Sequence, residues 1–242
     1  MTPRVLRHAD ADELVDRVAH LLLSRLLELQ GQQDTVHLCL TGGKLANQVY
    51  QCFAELVPGS ELDPGALNLW WSDEAFVPTT DPERNSLQSL SILARTLRLA
   101  GSQTHPMPPR DGHADPDEAA YAYAGELGDT IFDICLLGVG VDGHVAAVFP
   151  GHESFEPTAS LAVGVTDAPV PPAEQTTLTL AAINRSRRVW LWAVGEHKAD
   201  AVARSIGGDQ SLPASTVRGI DETLWFVDAE AASKLPQYHC QF

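Results

Sequence analysis

A glycine-rich segment near the middle of the chain, Gly138-Val139-Gly140-Val141-Asp142-Gly143-His144, combines residue types used in acid–base catalysis. Its glycines let the backbone turn sharply and approach a ligand closely. An imidazole is the side chain best suited to move protons near neutral pH. The Asp142 carboxylate can orient this ring or cap a following helix. We predict that His144 and Asp142 are catalytic and that Gly140 and Gly143 lie beside the ligand.

A second glycine pair, Gly42 and Gly43, follows an apolar run that predicts a strand. A helical pattern begins at the next residue, Lys44. Backbone N–H groups at such a helix start bind phosphate well, and a lysine adds positive charge. A plain tight turn without a ligand is the alternative, and the residues alone leave both open.

Charged side chains stand at two other predicted strand ends. Asp73 and Glu74 follow one apolar run, and Lys198 lies just past another. A solvated acidic turn and a surface lysine are the respective alternatives. Because ligands of parallel α/β sheets bind beyond the carboxyl ends of the strands, the turns at 41–45, 72–75 and 138–144 favour one shared site.

Several other chemistries are disfavoured. The segment at 138–144 resembles a dinucleotide fingerprint, but His144 stands where the third glycine belongs. The chain has no Gly-x-Ser-x-Gly elbow of a serine hydrolase. The spacings of His105, His113, His152 and His197 match no zinc pattern, and we expect His113 and His239 to be solvated. We expect neither a metal nor an organic cofactor.

The elements that must position these residues follow from hydrophobic periodicity. Helices are predicted over about 10–30, from 44 onward, over 84–99, from 116 onward and over 197–206, with N-caps at Asp10 and Asp115. Strands are predicted at 35–40, 67–71, 131–137, 176–180, 189–194 and 224–227, and an irregular stretch at 156–175. This alternation predicts an α/β fold, with a Rossmann-like, mostly parallel sheet covered by helices on both faces, as a single domain over residues 1–242.

Charge and cysteine usage restrict the partners. The 242 residues carry a formal charge of −16, which repels nucleic acid and anionic lipid. No run approaches the length of a membrane span, and the N-terminal residues lack the apolar stretch of a signal peptide. The four cysteines, Cys39, Cys52, Cys135 and Cys240, suit a reducing compartment. We expect a cytoplasmic protein, monomeric or a weak homodimer, that binds a small molecule but neither nucleic acid nor membrane.

Five segments in sequence order resemble the glucosamine-6-phosphate isomerase/6-phosphogluconolactonase family. They are LTGGKLA (40–46), WWSDEAFVP with DPERNS (70–86), FDICLLGVGVDGHVAAVFPGH (132–152), TTLTLAAINRSRRVWLWAVGEHKADAV (176–202) and LPASTVRG (212–219). The ending Phe149-Pro150-Gly151-His152 is similar to the lactonase branch. Deaminases of the family carry an Asn-Glu-Pro-Gly ending there, which supplies a catalytic glutamate.

The resemblance implies hydrolysis of a sugar-phosphate lactone, 6-phospho-D-glucono-1,5-lactone, in the oxidative pentose phosphate pathway. It makes His144 the base that activates water for attack on the lactone carbonyl. N–H groups of the glycine turns would hold the oxyanion. Lys198 and the amides around Gly42–Leu45 would hold the phosphate.

The sequence departs from the family at its basic positions. Ala75 replaces the arginine after Asp-Glu, Val170 the lysine before Pro-Pro, and Gln175 the arginine before the following strand. Lys44 and Arg84 are candidates to compensate. Three hypotheses therefore stay open: a lactonase with a rearranged phosphate site, a hydrolase of a different sugar lactone, and a non-catalytic sugar-phosphate-binding relative.

Overall fold

The computed structural model describes residues 3–236. Ten strands are formed: β1 (Arg4–His8), β2 (Val36–Leu40), β3 (Leu67–Trp71), β4 (Asp73–Ala75), β5 (Thr104–His105), β6 (Ile134–Gly138), β7 (Ala162–Val165), β8 (Gln175–Leu178), β9 (Arg188–Ala193) and β10 (Glu222–Asp228). The helices are α1 (Ala11–Gln30), α2 (Lys44–Leu56), α3 (Asn85–Leu93), α4 (Pro116–Leu127), α5 (Leu180–Ile183), α6 (Ala199–Ile206) and α7 (Pro213–Thr216). Cys240 and His239 lie outside the described residues.

The main sheet has seven strands in the order β1-β10-β9-β6-β2-β3-β5, and every pairing in it is parallel. From β2 the chain adds strands in one direction, through β3 to β5. From β6 it adds them in the other direction, through β9 to β10. The order therefore reverses between β2 and β6, and such a reversal opens a crevice at the carboxyl ends of the strands.

The five inner strands of the main sheet, β2, β3, β6, β9 and β10, are almost wholly buried, which explains their near-continuous apolar sequences. The edge strands β1 and β5 are exposed or only partly buried. In β6, Leu136 packs with α1, α2 and α3 on one face, whereas Cys135 and Leu137 pack with α4, α5, α6 and α7 on the other. The predicted mostly parallel sheet with helices on both faces is confirmed. Both predicted N-caps are also confirmed, since Asp10 accepts from the Glu13 N–H and Asp115 from the Glu118 N–H.

A second, smaller sheet departs from the expectation. It is antiparallel, in the order β4-β8-β7, so residues 73–75 form a strand and not a turn. β7 likewise lies inside the stretch that we expected to be irregular. The chain leaves the main sheet at Ser72, whose N–H donates to the Leu40 carbonyl and whose carbonyl accepts from the Leu178 N–H. β1 and β5 were also not predicted, because short strands carry little periodicity.

Several predicted boundaries shift. The strand expected at 131–137 is Ile134–Gly138, and the helix expected over 84–99 ends at Leu93. The strand expected to reach residue 180 stops at Leu178, because the hydroxyl of Thr179 accepts from the Ala182 N–H and starts α5. Within residues 3–236, no helix combines the length and apolarity needed to cross a membrane.

Two buried tyrosines hold the strand ends next to the crevice. The Tyr123 hydroxyl accepts from the Trp71 N–H (3.0 Å) and donates to the Trp71 carbonyl (2.9 Å). The Tyr50 hydroxyl makes the same two contacts with Thr41, at 3.0 and 2.8 Å. Each phenol therefore satisfies a donor and an acceptor that the strand pairing leaves open, and fixes where β2 and β3 end.

Removing one of these hydroxyls should cost stability. We expect Tyr123→Phe to lower the free energy of unfolding by roughly 2–4 kcal/mol, because a buried N–H and a buried carbonyl both lose their partner. Urea denaturation followed by tryptophan fluorescence measures this. Tyr121→Phe is the matched control, since Tyr121 is 83% exposed on the same helix. Equal stability of the two variants would contradict the role of Tyr123.

Candidate active site

A cleft of three connected lobes lies in the crevice. The central lobe, about 260 Å³, is lined by Thr41, Gly42, Gly43, Asp73, Gly138, Val139, Gly140, His144, Ala146 and Lys198. The α2 lobe, about 190 Å³, continues past Gly43 and Lys198 to Lys44 and His197. The Ala75 lobe, about 340 Å³, continues past Asp73 and His144 to Ala75, Glu83, Gln88, Val170, Pro171, Pro172 and Gln175. The predicted turns thus meet at one site.

His144 stands where the central and Ala75 lobes join, with its side chain 21% exposed. Its Nδ1 lies 2.6 Å from the Oδ1 of Asp142, and the same oxygen accepts from the His144 N–H at 3.1 Å. A carboxylate accepts and cannot donate, so Nδ1 carries the proton and Nε2 of the neutral ring is a free base. Burial by itself would raise the pKa of Asp142, but His144 and its N–H hold that pKa below its usual value.

The imidazole is also held from behind. Phe149, fully buried, lies with its ring centroid 4.8 Å from that of His144. A Cβ on Gly140 would come within 2.1 Å of the His144 Nδ1, so only glycine lets the ring pack this closely. No helix follows His144, contrary to the expected strand-to-helix turn. The segment instead folds back through bridges of Val145 with Val139 and Val148. Asp142 therefore orients the ring and caps no helix.

Gly140 and Gly143 have structural roles in the loop. The Gly140 N–H donates to the His144 carbonyl and the Gly143 N–H to the Gly140 carbonyl, so neither amide is free to bind an oxyanion. Gly143 has a φ of +83° and packs against Leu212, away from the cleft. Its prediction as a ligand contact is therefore corrected. Gly140 remains in the lining, beneath the imidazole.

Unlike the amides of Gly140 and Gly143, the amides of Gly42 and Gly43 are available to a ligand. Both residues line all three lobes, and neither N–H donates a hydrogen bond within residues 3–236. They precede the first turn of α2, whose N-terminus favours negative charge. A Cβ on Gly42 would overlap the Asn85 carboxamide, which explains the need for glycine there.

Two lysines border the α2 end of the cleft. Lys198 is half-buried, and its Nζ donates to the Val139 carbonyl at 2.7 Å. Burial lowers the pKa of Lys198, and the Asp142 carboxylate opposes that shift. Lys44 is exposed at the start of α2 and lines the α2 lobe. The structure thus brings both lysines to the glycine turn at 41–43.

Glu74 and Arg84 do not face the cleft, contrary to the prediction. Glu74 is 1% exposed, and its carboxylate accepts from the N–H groups of Ala75, Asn85 and Ser86. Arg84 is 3% exposed, with its guanidinium 3.4 Å from Glu74 and bonded to the Met107 carbonyl. They anchor the wall of the site from behind, so Arg84 does not compensate for a missing cation.

Asp73 does face the cleft. It lines both the central and the Ala75 lobe, and its carboxylate accepts from Ser72 (2.6 Å) and Asn85 (3.0 Å). Burial raises the pKa of Asp73, while these hydrogen bonds and the nearby His144 oppose the rise. Asn85 was not predicted as a site residue. Its position directly after Arg84, in the segment DPERNS that resembles the family, could have indicated that it belongs to the site.

The three positions where the sequence departs from the family converge on one lobe. Ala75, Val170 and Gln175 all line the Ala75 lobe, although they come from two segments far apart in the chain. The Gln175 carboxamide donates to the carbonyls of Val170 (3.1 Å) and Pro172 (2.8 Å) and so braces the loop around Pro171. The sequence alone did not show that these departures meet.

In the part of the chain that the structure describes, no group of three or more His, Cys, Asp or Glu side chains is placed to hold a metal ion. Within residues 3–236, Cys39, Cys52 and Cys135 are free thiols. Cys39 and Cys135 are buried in β2 and β6.

Comparison with known proteins identifies the family to which this chain belongs. The family model for glucosamine-6-phosphate isomerases/6-phosphogluconolactonase matches residues 9–225, so the chain belongs to this family. The 6-phosphogluconolactonase of Streptomyces coelicolor is 37% identical over 98% of this chain and 96% of that protein. The 6-phosphogluconolactonase of Mycobacterium tuberculosis is 37% identical over 94% of this chain and 96% of that protein. The resemblance noted in the sequence is thereby confirmed.

Solved structures agree with this assignment. The crystal structure of 6-phosphogluconolactonase from Thermotoga maritima superposes with a TM-score of 0.82 at 25% identity, covering 93% of this chain and 99% of that chain. A monomeric glucosamine-6-phosphate deaminase superposes with a TM-score of 0.80 at 22% identity, covering 95% of this chain and 99% of that chain. The fold is therefore common to both branches, and the site must distinguish them.

The packing of His144 on Gly140 can be tested on its own. We expect Gly140→Ala to displace the imidazole and to lower kcat on the substrate by about 10²-fold or more, since a displacement of about 1 Å costs that much. Gly125→Ala is the matched control, because Gly125 is exposed on α4 and a Cβ there meets nothing within 4 Å. Steady-state kinetics of both variants checks this, and similar kcat values would refute it.

Proposed function

We propose that this protein hydrolyses 6-phospho-D-glucono-1,5-lactone to 6-phosphogluconate, with His144 as general base. The observation that carries the proposal is the imidazole fixed by Asp142 with Nε2 free, at the junction of two lobes and across the central lobe from Lys198. Relatives 37% identical over nearly the whole chain, named 6-phosphogluconolactonases, support the reaction class.

The reaction needs one proton transfer in each direction. Nε2 takes a proton from a water molecule, and the resulting hydroxide attacks C1 of the lactone. The tetrahedral intermediate then collapses, the bond between C1 and the ring oxygen breaks, and the imidazolium returns its proton to that oxygen. Asp142 stabilises the imidazolium between these steps. General base catalysis of this kind contributes about 10²–10⁴-fold.

The oxyanion formed at C1 needs hydrogen-bond donors that are already in place. The amides of Gly42 and Gly43 fill this role in the proposal, because they line the same lobe as His144 and have no acceptor within the described residues. The 138–144 loop supplies the base, and the turn between β2 and α2 supplies the donors. The reversal of strand order next to β2 brings the two together.

The phosphate is assigned to the α2 side of the cleft. Lys198 supplies a half-buried cation there, and Lys44 and the N-terminus of α2 add positive potential. In a protein of charge −16, this local reversal of sign is what admits an anionic substrate.

The deaminase reaction of the family is the second candidate, and His152 argues against it. This residue stands in the segment where deaminases carry their glutamate. Its two ring nitrogens contact Ser154 (3.0 Å) and the Thr166 carbonyl (3.1 Å), so the side chain is used in the fold. No observation in the cleft favours amine chemistry over lactone hydrolysis.

Replacing the base should abolish most of the activity. We expect His144→Asn to lower kcat by about 10²–10⁴-fold with little change in stability. The assay measures lactone consumption after subtraction of the spontaneous reaction. His20→Asn, on the exposed side of α1, is the control, and a His144→Asn variant with that control's rate would end the assignment.

Lys198 should act mainly on the phosphate. We expect Lys198→Met to raise KM for the phosphorylated lactone about 10–100-fold, since a charge-assisted hydrogen bond contributes about 1.5–3 kcal/mol. KM for unphosphorylated glucono-1,5-lactone should change far less. Lys234→Met, which removes an exposed lysine bonded to Asp200, controls for net charge. Equal effects on both substrates would contradict a phosphate contact.

A further inference from the structure

The Ala75 lobe has a composition opposite to that of the α2 lobe. Among the residues that the structure describes, two carboxylates line this lobe, Asp73 and Glu83, together with the amide side chains of Asn85, Gln88 and Gln175. No lysine or arginine is among these lining residues. Ala75, Val170 and Pro171 form an apolar wall on the same lobe. At about 340 Å³ this lobe is also larger than the α2 lobe.

Cations close to the lobe in sequence are held elsewhere. Arg84 is buried behind Glu74, as described above. Arg110 pairs with the Glu174 carboxylate and lies over the Phe76 ring, with its guanidinium 5.4 Å from the ring centroid. Neither guanidinium lines the lobe. A phosphate dianion placed there would face carboxylates and lose its hydration without a compensating charge.

We infer that the Ala75 lobe binds the uncharged, hydroxyl-bearing edge of the lactone ring, at C2 and C3, while the phosphate lies at the opposite, Lys198 end of the cleft. This inference rests on the proposed function, since it orients the proposed substrate about His144. With C1 at the imidazole, C6 and its phosphate extend to one side of the ring and the C2 and C3 hydroxyls to the other. The polarity of the cleft matches that division.

The side chains of the lobe suit hydroxyl recognition. The carboxylates of Asp73 and Glu83 accept hydrogen bonds from sugar hydroxyls, and bonds to an ionised acceptor are the strong ones. Asp73 is fixed by Ser72 and Asn85, which leaves its direction into the lobe well defined. Val170 and Pro171 offer apolar surface to the C–H face of a sugar. The lobe therefore selects a polyol and disfavours a second anionic group.

Binding of the product tests the orientation directly. Titration calorimetry with 6-phosphogluconate is carried out on wild type, Ala75→Arg, Val170→Lys and Lys198→Met, after thermal melts show that each variant is folded. We expect Lys198→Met to weaken binding about tenfold or more. Each added cation should leave Kd unchanged or raise it, because the cation pairs with Asp73 or Glu83 and fills the hydroxyl site. Val170→Lys covers the case in which an arginine at buried Ala75 prevents folding.

Tighter binding by about fivefold or more in Ala75→Arg or Val170→Lys would overturn the inference, since it would place the phosphate in the Ala75 lobe.

A second measurement compares the phosphorylated lactone with its 2-deoxy analogue. We expect the preference in kcat/KM for the 2-hydroxy substrate to fall about threefold or more in Glu83→Gln, within the range of one lost hydrogen bond. An unchanged preference would contradict the contact.

Failure of the proposed function is distinguishable from failure of this inference. If wild type hydrolyses no lactone above the spontaneous rate, the proposed reaction is wrong, whereas the product-binding series still reports which lobe holds the phosphate. If wild type is an efficient lactonase and the added cations tighten binding, the reaction stands and the orientation is reversed.

Discussion

The buried carboxylate of Glu74 holds the N-terminus of α3 against β4, and the wall of the cleft depends on this contact. Its oxygens accept from the Asn85 and Ser86 N–H groups, at 2.6 and 2.9 Å, and face the Arg84 guanidinium. Burial raises the pKa of Glu74, and Arg84 and these amides oppose the rise. Through Asn85 the contact extends to Asp73 and to Gly42, so that three separate segments of the site share one anchor.

This anchor also explains why some of the charged residues predicted for the site line the cleft and others do not. His144, Asp142 and Lys198 follow strand ends, and the parallel topology carries such residues to one edge whatever the surrounding loops do. The positions of Glu74 and Arg84 along the chain indicate a ligand site equally well. In the structure, however, their charged groups contact each other and bond to backbone groups. A single sequence gives the position of a charge along the chain, and only the packing decides whether it faces the ligand or the core.

The same distinction applies to the fold. The main sheet could be predicted because strands buried on both faces are continuously apolar, as in β6 and β9. β4 and β7 could not, because strands of three and four residues are too short to show a local period. The loop after β6 resembled a strand-to-helix turn, because the bridges of Val145 that fold it back are tertiary contacts.

The two sheets divide the work of the site. The segments that follow strands β2, β6 and β9 of the main sheet carry the proposed base His144, the amides of Gly42 and Gly43, and Lys198, all near the strand-order reversal between β2 and β6. The small sheet contributes Asp73, Ala75 and Gln175 to the Ala75 lobe, and the loop braced by Gln175 contributes residues 170–172. Substitutions in the small sheet therefore alter which substituents the cleft accepts without moving His144, which Asp142, Phe149 and Gly140 hold from the other side. The replacement of cations at Ala75, Val170 and Gln175 alongside an intact Asp142–His144 pair is a change that this division allows, because the three replaced positions and His144 lie on different segments of the chain.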